Sequence, residues 1–121
     1  MKQLTFEKRQ LCDIQGRLFE LALKNEYDCP AFITFFMNSR AAGALDDTYD
    51  RLQWAGEEYI LEELEEESGG LKKAGMIYSA EVMYWTGYVY RYWHYYTNES
   101  SREIYETAYA HTMNDCWPGF H

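Results

Sequence analysis

Residues 76–96 read MIYSAEVMYWTGYVYRYWHYY. Nine of them are Tyr or Trp, and only Glu81 and Arg91 carry a firm charge. Val82, Trp85, Val89, Tyr92 and Tyr96 recur at steps of three, four, three and four, the period of one face of an α-helix. Tyr84, Tyr88, Arg91 and Tyr95 form a second row beside it. Tyr, Trp and Val also favour sheets, but the sustained three–four spacing selects a helix over 77–97, with Ser79 as its N-cap. A helix apolar on nearly every side sits in the middle of a bundle or presents an aromatic face to a partner. Its length would suit a membrane span; Glu81, Arg91, His94 and the many phenolic hydroxyls argue against one.

Working outward, the same period recurs along the chain. Leu11, Ile14, Leu18 and Leu21 predict a helix over 5–25. Asp28 is placed to cap a second, 29–39, with Pro30 in the first turn, where its missing N–H costs little. Leu45, Tyr49, Leu52, Ile60 and Leu64 line up as the inner stripe of a third, 44–67, approached through Ala41–Ala44 and stopped by Ser68-Gly69-Gly70. Leu71–Gly75 reads as a linker. Ser100 and Glu103 match a capping box that opens a last helix, 100–114. Residues 115–121 read as an extended tail whose Trp117 and Phe120 tuck against the bundle. Gly16, Gly56 and Gly87 fall inside predicted helices, where glycine costs about 1 kcal/mol relative to alanine. Either the helices cross closely there, or they tolerate the glycine. The expected architecture is all-α, one domain of about five helices around the aromatic one.

With 121 residues and 47% hydrophobic content, the chain can build a core without metal or disulfide staples. Cys12, Cys29 and Cys116 are odd in number and show no paired spacing, which suits reduced thiols and a cytoplasmic setting. The opening MKQLTFEKRQLCDIQ has no uninterrupted apolar run of the signal-peptide kind.

The net charge of −9 is confined to one segment. Residues 46–67 hold ten acids and a single base, Arg51, while the remaining chain has ten of each. Such asymmetry points to a partner rather than to the fold.

Motifs that carry chemistry are missing. His94, His111 and His121 are scattered, there is no Glu-x-x-His, Cys-x-x-Cys or His-x-x-x-His, and no metal or cofactor is expected. Nucleophile elbows, phosphate loops and dinucleotide fingerprints are also lacking. No catalytic residue is assigned, and a non-enzymatic protein is expected. Residues 91–108 could form a helix-turn-helix reading DNA. Glu99, Glu103 and Glu106 against Arg91 and Arg102 are a poor surface for phosphate, however, and no direct nucleic-acid binding is expected. A small-ligand or enzymatic bundle with an aromatic pocket at Tyr88, Tyr92 and His94 is a further alternative.

Two candidate faces follow. Asp46, Asp50 and Glu57 fall along one side of the predicted third helix, with Glu58, Glu62, Glu65 and Glu66 beside them. A row of carboxylates on a rigid helix imitates the charge spacing of a phosphate backbone and would attract a basic partner; its bland counterpart is a solvated face that keeps an aromatic-rich chain in solution. The second candidate is the row Tyr84, Tyr88, Arg91 and Tyr95, residue types that dominate binding hot spots, as a docking or homodimer face.

The runs YDRLQWAGEEYILEEL, VMYWTGYVYRYWHYYT and ESSREIYETA resemble small, acidic bacterial proteins of mobile-element and toxin–antitoxin-like loci, a likeness that would span residues 11–121. It implies an antitoxin or inhibitor and carries no site residue with it. The expected function is therefore neutralisation of a basic protein partner, either as an antitoxin or as a nucleic-acid mimic blocking a nuclease or CRISPR effector.

Overall fold

The computed structural model describes residues 4–47 and 51–114, with side chains as far as 108. The described residues form six α-helices: α1 (Phe6–Lys24), α2 (Cys29–Met37), α3 (Arg40–Asp46), α4 (Glu57–Ser68), α5 (Ala80–Thr97) and α6 (Ser101–Asn114). A short 3-10 helix, Arg51–Trp54, lies between α3 and α4. The chain is an all-α bundle. No helix among the described residues is long and apolar enough to cross a membrane. The expected tail, with Trp117 and Phe120, and the expected packing of Tyr49 lie outside the described residues.

Local signals account for most helix starts. Thr5, Asp28, Ser39 and Ser79 each accept a hydrogen bond from a backbone N–H in the first turn of the helix they precede. The capping box forms as expected: Glu103 N donates to Ser100 Oγ at 3.1 Å, and Ser100 N to Glu103 Oε1 at 2.9 Å. Gly69, at φ 72°, ends α4 in the left-handed conformation that glycine adopts without strain.

The expected continuous helix over 44–67 is corrected. Ser39 caps the small-residue approach, so Ala41–Ala44 is itself helical and α3 ends at Asp46. The chain restarts at Gly56, whose extended backbone is the N-cap of α4. Leu45, Leu52, Ile60 and Leu64 are all buried as the stripe required, but from three short elements.

The core is centred on α1 and α2. Phe19 meets Phe32 and Phe36 edge-on, with centroids 5.4 Å apart in both pairs, and all three rings are buried. Leu18, Met37, Leu64, Met83 and Ile104 close around them. Both α5 and α4 pack along α1.

Gly16 and Gly87 mark the α1–α5 crossing. A Cβ on Gly16 would lie 2.7 Å from the Tyr84 ring and 2.8 Å from the Tyr84 carbonyl oxygen. One on Gly87 would lie 2.5 Å from the Gln15 carbonyl oxygen. Of the two explanations left open for these glycines, close crossing holds at both. Gly56 has open space around it and lies outside the helix interior.

The linker over 71–75 is held in place. Asp28 N donates to Lys72 O, Ala74 N to Glu26 O and Cys29 N to Met76 O, at 2.9, 3.0 and 2.8 Å. The Asp28 carboxylate caps α2 through Ala31 N at 2.9 Å and also accepts from Met76 N at 2.5 Å. These hydrogen bonds hold its pKa below the usual carboxylate value.

Candidate functional site

The acidic face is rebuilt on α4 alone. Its twelve residues, EEYILEELEEES, contain seven glutamates and no base. Ile60, Leu61 and Leu64 turn inward. Glu58, Glu62 and Glu66 are exposed, about one turn apart, and follow one another along the outer side at intervals of roughly 6 Å. Glu57 is half-buried beside Arg17 and Lys24 of α1, where a shallow groove runs between the two helices. Glu65 is half-buried and accepts a hydrogen bond from the Tyr27 hydroxyl. On the other edge Glu67 Oε2 accepts from Arg40 N at 2.9 Å, beside a groove of about 340 Å³ lined by Arg40, Arg51, Glu63, Glu66 and Glu67.

Asp46 does not belong to this face, and its sequence assignment is corrected. It ends α3, and its carboxylate points inward, toward α5 and the start of α6. Arg91 Nη1 donates to Asp46 Oδ1 at 2.7 Å, Ser101 N to Asp46 Oδ2 at 2.9 Å, and Ser101 Oγ to Asp46 Oδ1 at 2.8 Å. Asp50 lies outside the described residues.

The aromatic face is also corrected. Arg91, at 1% exposure, is among the largest fully buried side chains. Its Nε donates to Gln15 Oε1 at 2.8 Å and its Nη2 to Ser101 Oγ at 3.2 Å, while Gln15 Nε2 donates to the Gly87 carbonyl at 2.9 Å. One guanidinium therefore joins α1, α3, α5 and the start of α6. The rest of the row follows it inward: the Tyr84 hydroxyl donates to Asp13 Oδ1 at 2.5 Å, and Lys8 Nζ sits over the Tyr95 ring at 5.2 Å. Tyr84, Tyr88 and Tyr95 are only partly exposed. Burial raises the pKa of all three, Tyr95 to about 12.

The neighbouring row faces solvent instead. Val82, Trp85, Val89 and Tyr96 are 47%, 51%, 49% and 50% exposed, and Tyr92 is half-exposed. Trp85 packs edge-on against both Tyr84 and Tyr88, with centroids 5.0 and 5.4 Å away, and Tyr92 stacks on Tyr96 at 6.3 Å. The sequence showed this row but not its direction. A signal was present: a lone arginine in an aromatic helix needs partners, and Gln15 is polar within the period of α1's inner stripe.

The alternative sites fare as follows. Neither groove beside α4 is lined by Tyr88, Tyr92 or His94. Tyr92 is at the surface against Tyr96, while His94 Nδ1 lies 2.6 Å from the Glu99 carbonyl oxygen and 3.6 Å from Asp46 Oδ1. Cys12 and Cys29 are buried free thiols, and burial pushes Cys12 up to about 12 despite nearby Arg91, the opposite of an activated nucleophile. Among the described residues, no three His, Cys, Asp or Glu side chains gather as a metal site. Over residues 91–108 two helices are joined by a short turn: α5 ends in left-handed Asn98 and α6 begins three residues later. Its Arg91, however, is committed to Asp46, and Arg102 Nη2 donates to Asn38 O at 3.1 Å.

No protein-family model, curated protein or solved structure matches this chain.

Proposed function

We propose that this protein is a non-enzymatic interaction module that binds and neutralises a basic protein partner through the outer face of α4. The observation that carries the reading is the row Glu58, Glu62 and Glu66, exposed at successive turns of a helix without a single basic residue. Three carboxylates spaced at about 6 Å on a rigid rod set up a negative potential that steers a cationic surface and fixes its register. A nuclease, a toxin that acts on nucleic acid, or a CRISPR effector presents such a surface, and the carboxylate row would compete for it with the phosphate backbone. The resemblance to antitoxin-like proteins supports the same class, and the reduced thiols suit a cytoplasmic partner.

The test uses the full chain as bait against proteins encoded beside it and against host lysate, in parallel with a Glu58→Lys, Glu62→Lys, Glu66→Lys variant. A specific basic partner should be retained by the natural chain, released by moderate salt, lost with the variant, and relieved of nucleic-acid binding in the complex. Equal retention of that partner by the variant would sink the acidic-face mechanism. Direct DNA binding is less favoured because Arg91 is internal. A gel shift on the upstream DNA at low salt would revive that reading.

A further inference from the structure

Trp54 is 84% exposed, more than any other large apolar side chain among the described residues. It closes the 3-10 helix Arg51–Trp54, two residues before the Gly56 N-cap of α4. Leu52, two residues earlier, is buried and ties this short helix to the core, so the indole stands out on an anchored element. Four residues of chain keep the Trp54 Cα within about 14 Å of the Glu58 Cα, so the ring and the first carboxylate of the acidic row are within reach of one partner segment. Tyr59, 39% exposed, joins them. It precedes Glu62 and Glu66 by about one and two turns and so shares the outer side of α4. Its hydroxyl accepts from Arg51 Nη1 at 3.3 Å, a guanidinium meeting a phenol at this end of the row.

The charge around the two rings selects what covers them. Residues 54–68 hold seven carboxylates and no base. A second copy would set like charge against like, and an anionic lipid surface is repelled for the same reason. A cation is drawn to both parts at once, by the negative face of the ring and by the carboxylates. Among cations arginine fits best. Its guanidinium is planar and weakly hydrated, stacks flat on an indole and keeps its N–H fork for a carboxylate. A lysine ammonium is a strongly hydrated point charge without that fork. Trp and Tyr are also among the residue types that dominate interface hot spots.

We infer that Trp54 anchors the α4 docking surface by stacking on an arginine of the basic partner whose guanidinium also meets Glu58, with Tyr59 as the second aromatic contact. The surface therefore selects an arginine-rich over a lysine-rich segment, a selectivity that rests on the acidic-face reading and sharpens it.

The test titrates the full chain at constant moderate salt against fluorescein-labelled nona-arginine and nona-lysine, read by anisotropy. Trp54→Ala should weaken nona-arginine by about two- to fivefold and nona-lysine by less, and Trp54→Phe should keep part of the difference. Circular dichroism should not change, because the ring removed is already at the surface. In 15N-labelled chain, the indole N–H signal that Trp54→Phe removes should be the indole signal that nona-arginine moves most. Glu58→Lys, Glu62→Lys, Glu66→Lys should lose both peptides. If that triple variant loses both while Trp54→Ala binds nona-arginine like the natural chain, the arginine anchor is overturned and the acidic face stands. If the triple variant binds both peptides like the natural chain, the two readings fall together. Trp54-dependent binding to zwitterionic or anionic vesicles, or Trp54-dependent dimers in sedimentation, also overturns the anchor and makes the occupant a bilayer or a second copy.

Discussion

Asp46 and Arg91 lie forty-five residues apart in sequence and meet at 2.7 Å, with the arginine buried and the aspartate capping the backbone of Ser101. The pair ties the end of α3 to the middle of α5 and the start of α6. Breaking a buried pair on one side leaves an uncompensated charge, which costs about 3–5 kcal/mol. Arg91→Met should therefore lower stability by that order in urea unfolding. Arg91→Met combined with Asp46→Asn should recover part of the loss.

The helix-crossing glycines give a prediction of opposite sign to helix propensity. Alanine normally stabilises a helix by up to about 1 kcal/mol over glycine. At residue 87 the added carbon would press on the Gln15 carbonyl at 2.5 Å, and at residue 16 on the Tyr84 backbone. Gly16→Ala and Gly87→Ala should each cost about 1–3 kcal/mol through overpacking. Gly43→Ala in α3, where nothing lies within 4 Å, should stabilise the chain. Thermal melts of the three variants distinguish the cases.

Asp28 predicts the acid limb of the stability profile. Backbone N–H groups of Ala31 and Met76 hold its folded pKa below 3.8. A carboxyl with a depressed folded pKa contributes stability fully above its unfolded value, and the contribution disappears as pH falls through the folded one. Asp28→Asn should be less stable than the natural chain at neutral pH, and the gap should narrow below about pH 4. Urea midpoints at several pH values measure it.

The phenols predict the alkaline limb. Tyr27 is raised to about 12 by burial and by its bond to the Glu65 carboxylate, and Tyr95 to about 12 by burial. A raised folded pKa gives stability that is complete below the unfolded value, near 10, and that vanishes as pH climbs through the folded one. Unfolding should set in between about pH 10 and 12. Tyrosinate absorbance should show an exposed group of tyrosines titrating normally and a second group released only with loss of helix signal.

Much of this fold can be read from short-range chemistry. Asp28, Ser79 and the Ser100–Glu103 box act within four residues, so each caps the helix the sequence assigned to it. The pattern over 44–67 misled because Leu45, Leu52, Ile60 and Leu64 keep helical phase across a break that begins after Asp46. The face of α5 was not legible, since both rows are aromatic and hydrophobicity alone does not rank them. What ranks them is long-range: the partners of Arg91 on α1, α3 and α6, and the close approach of Gly87 to Gln15. The acidic site was legible as a composition and became a surface only once α4 separated Glu58, Glu62 and Glu66 from Asp46.

The α1–α5 crossing also says how this sequence can change over time. Residues 16 and 84 and residues 15 and 87 at the crossing, and 46 and 91 beside it, share contacts that penalise independent substitution, so relatives should alter them in pairs or leave them alone. Val82, Trp85 and Val89 are about half exposed, so substitution there disturbs less packing, and restraint at these positions across a family of such sequences would record a contact outside the chain.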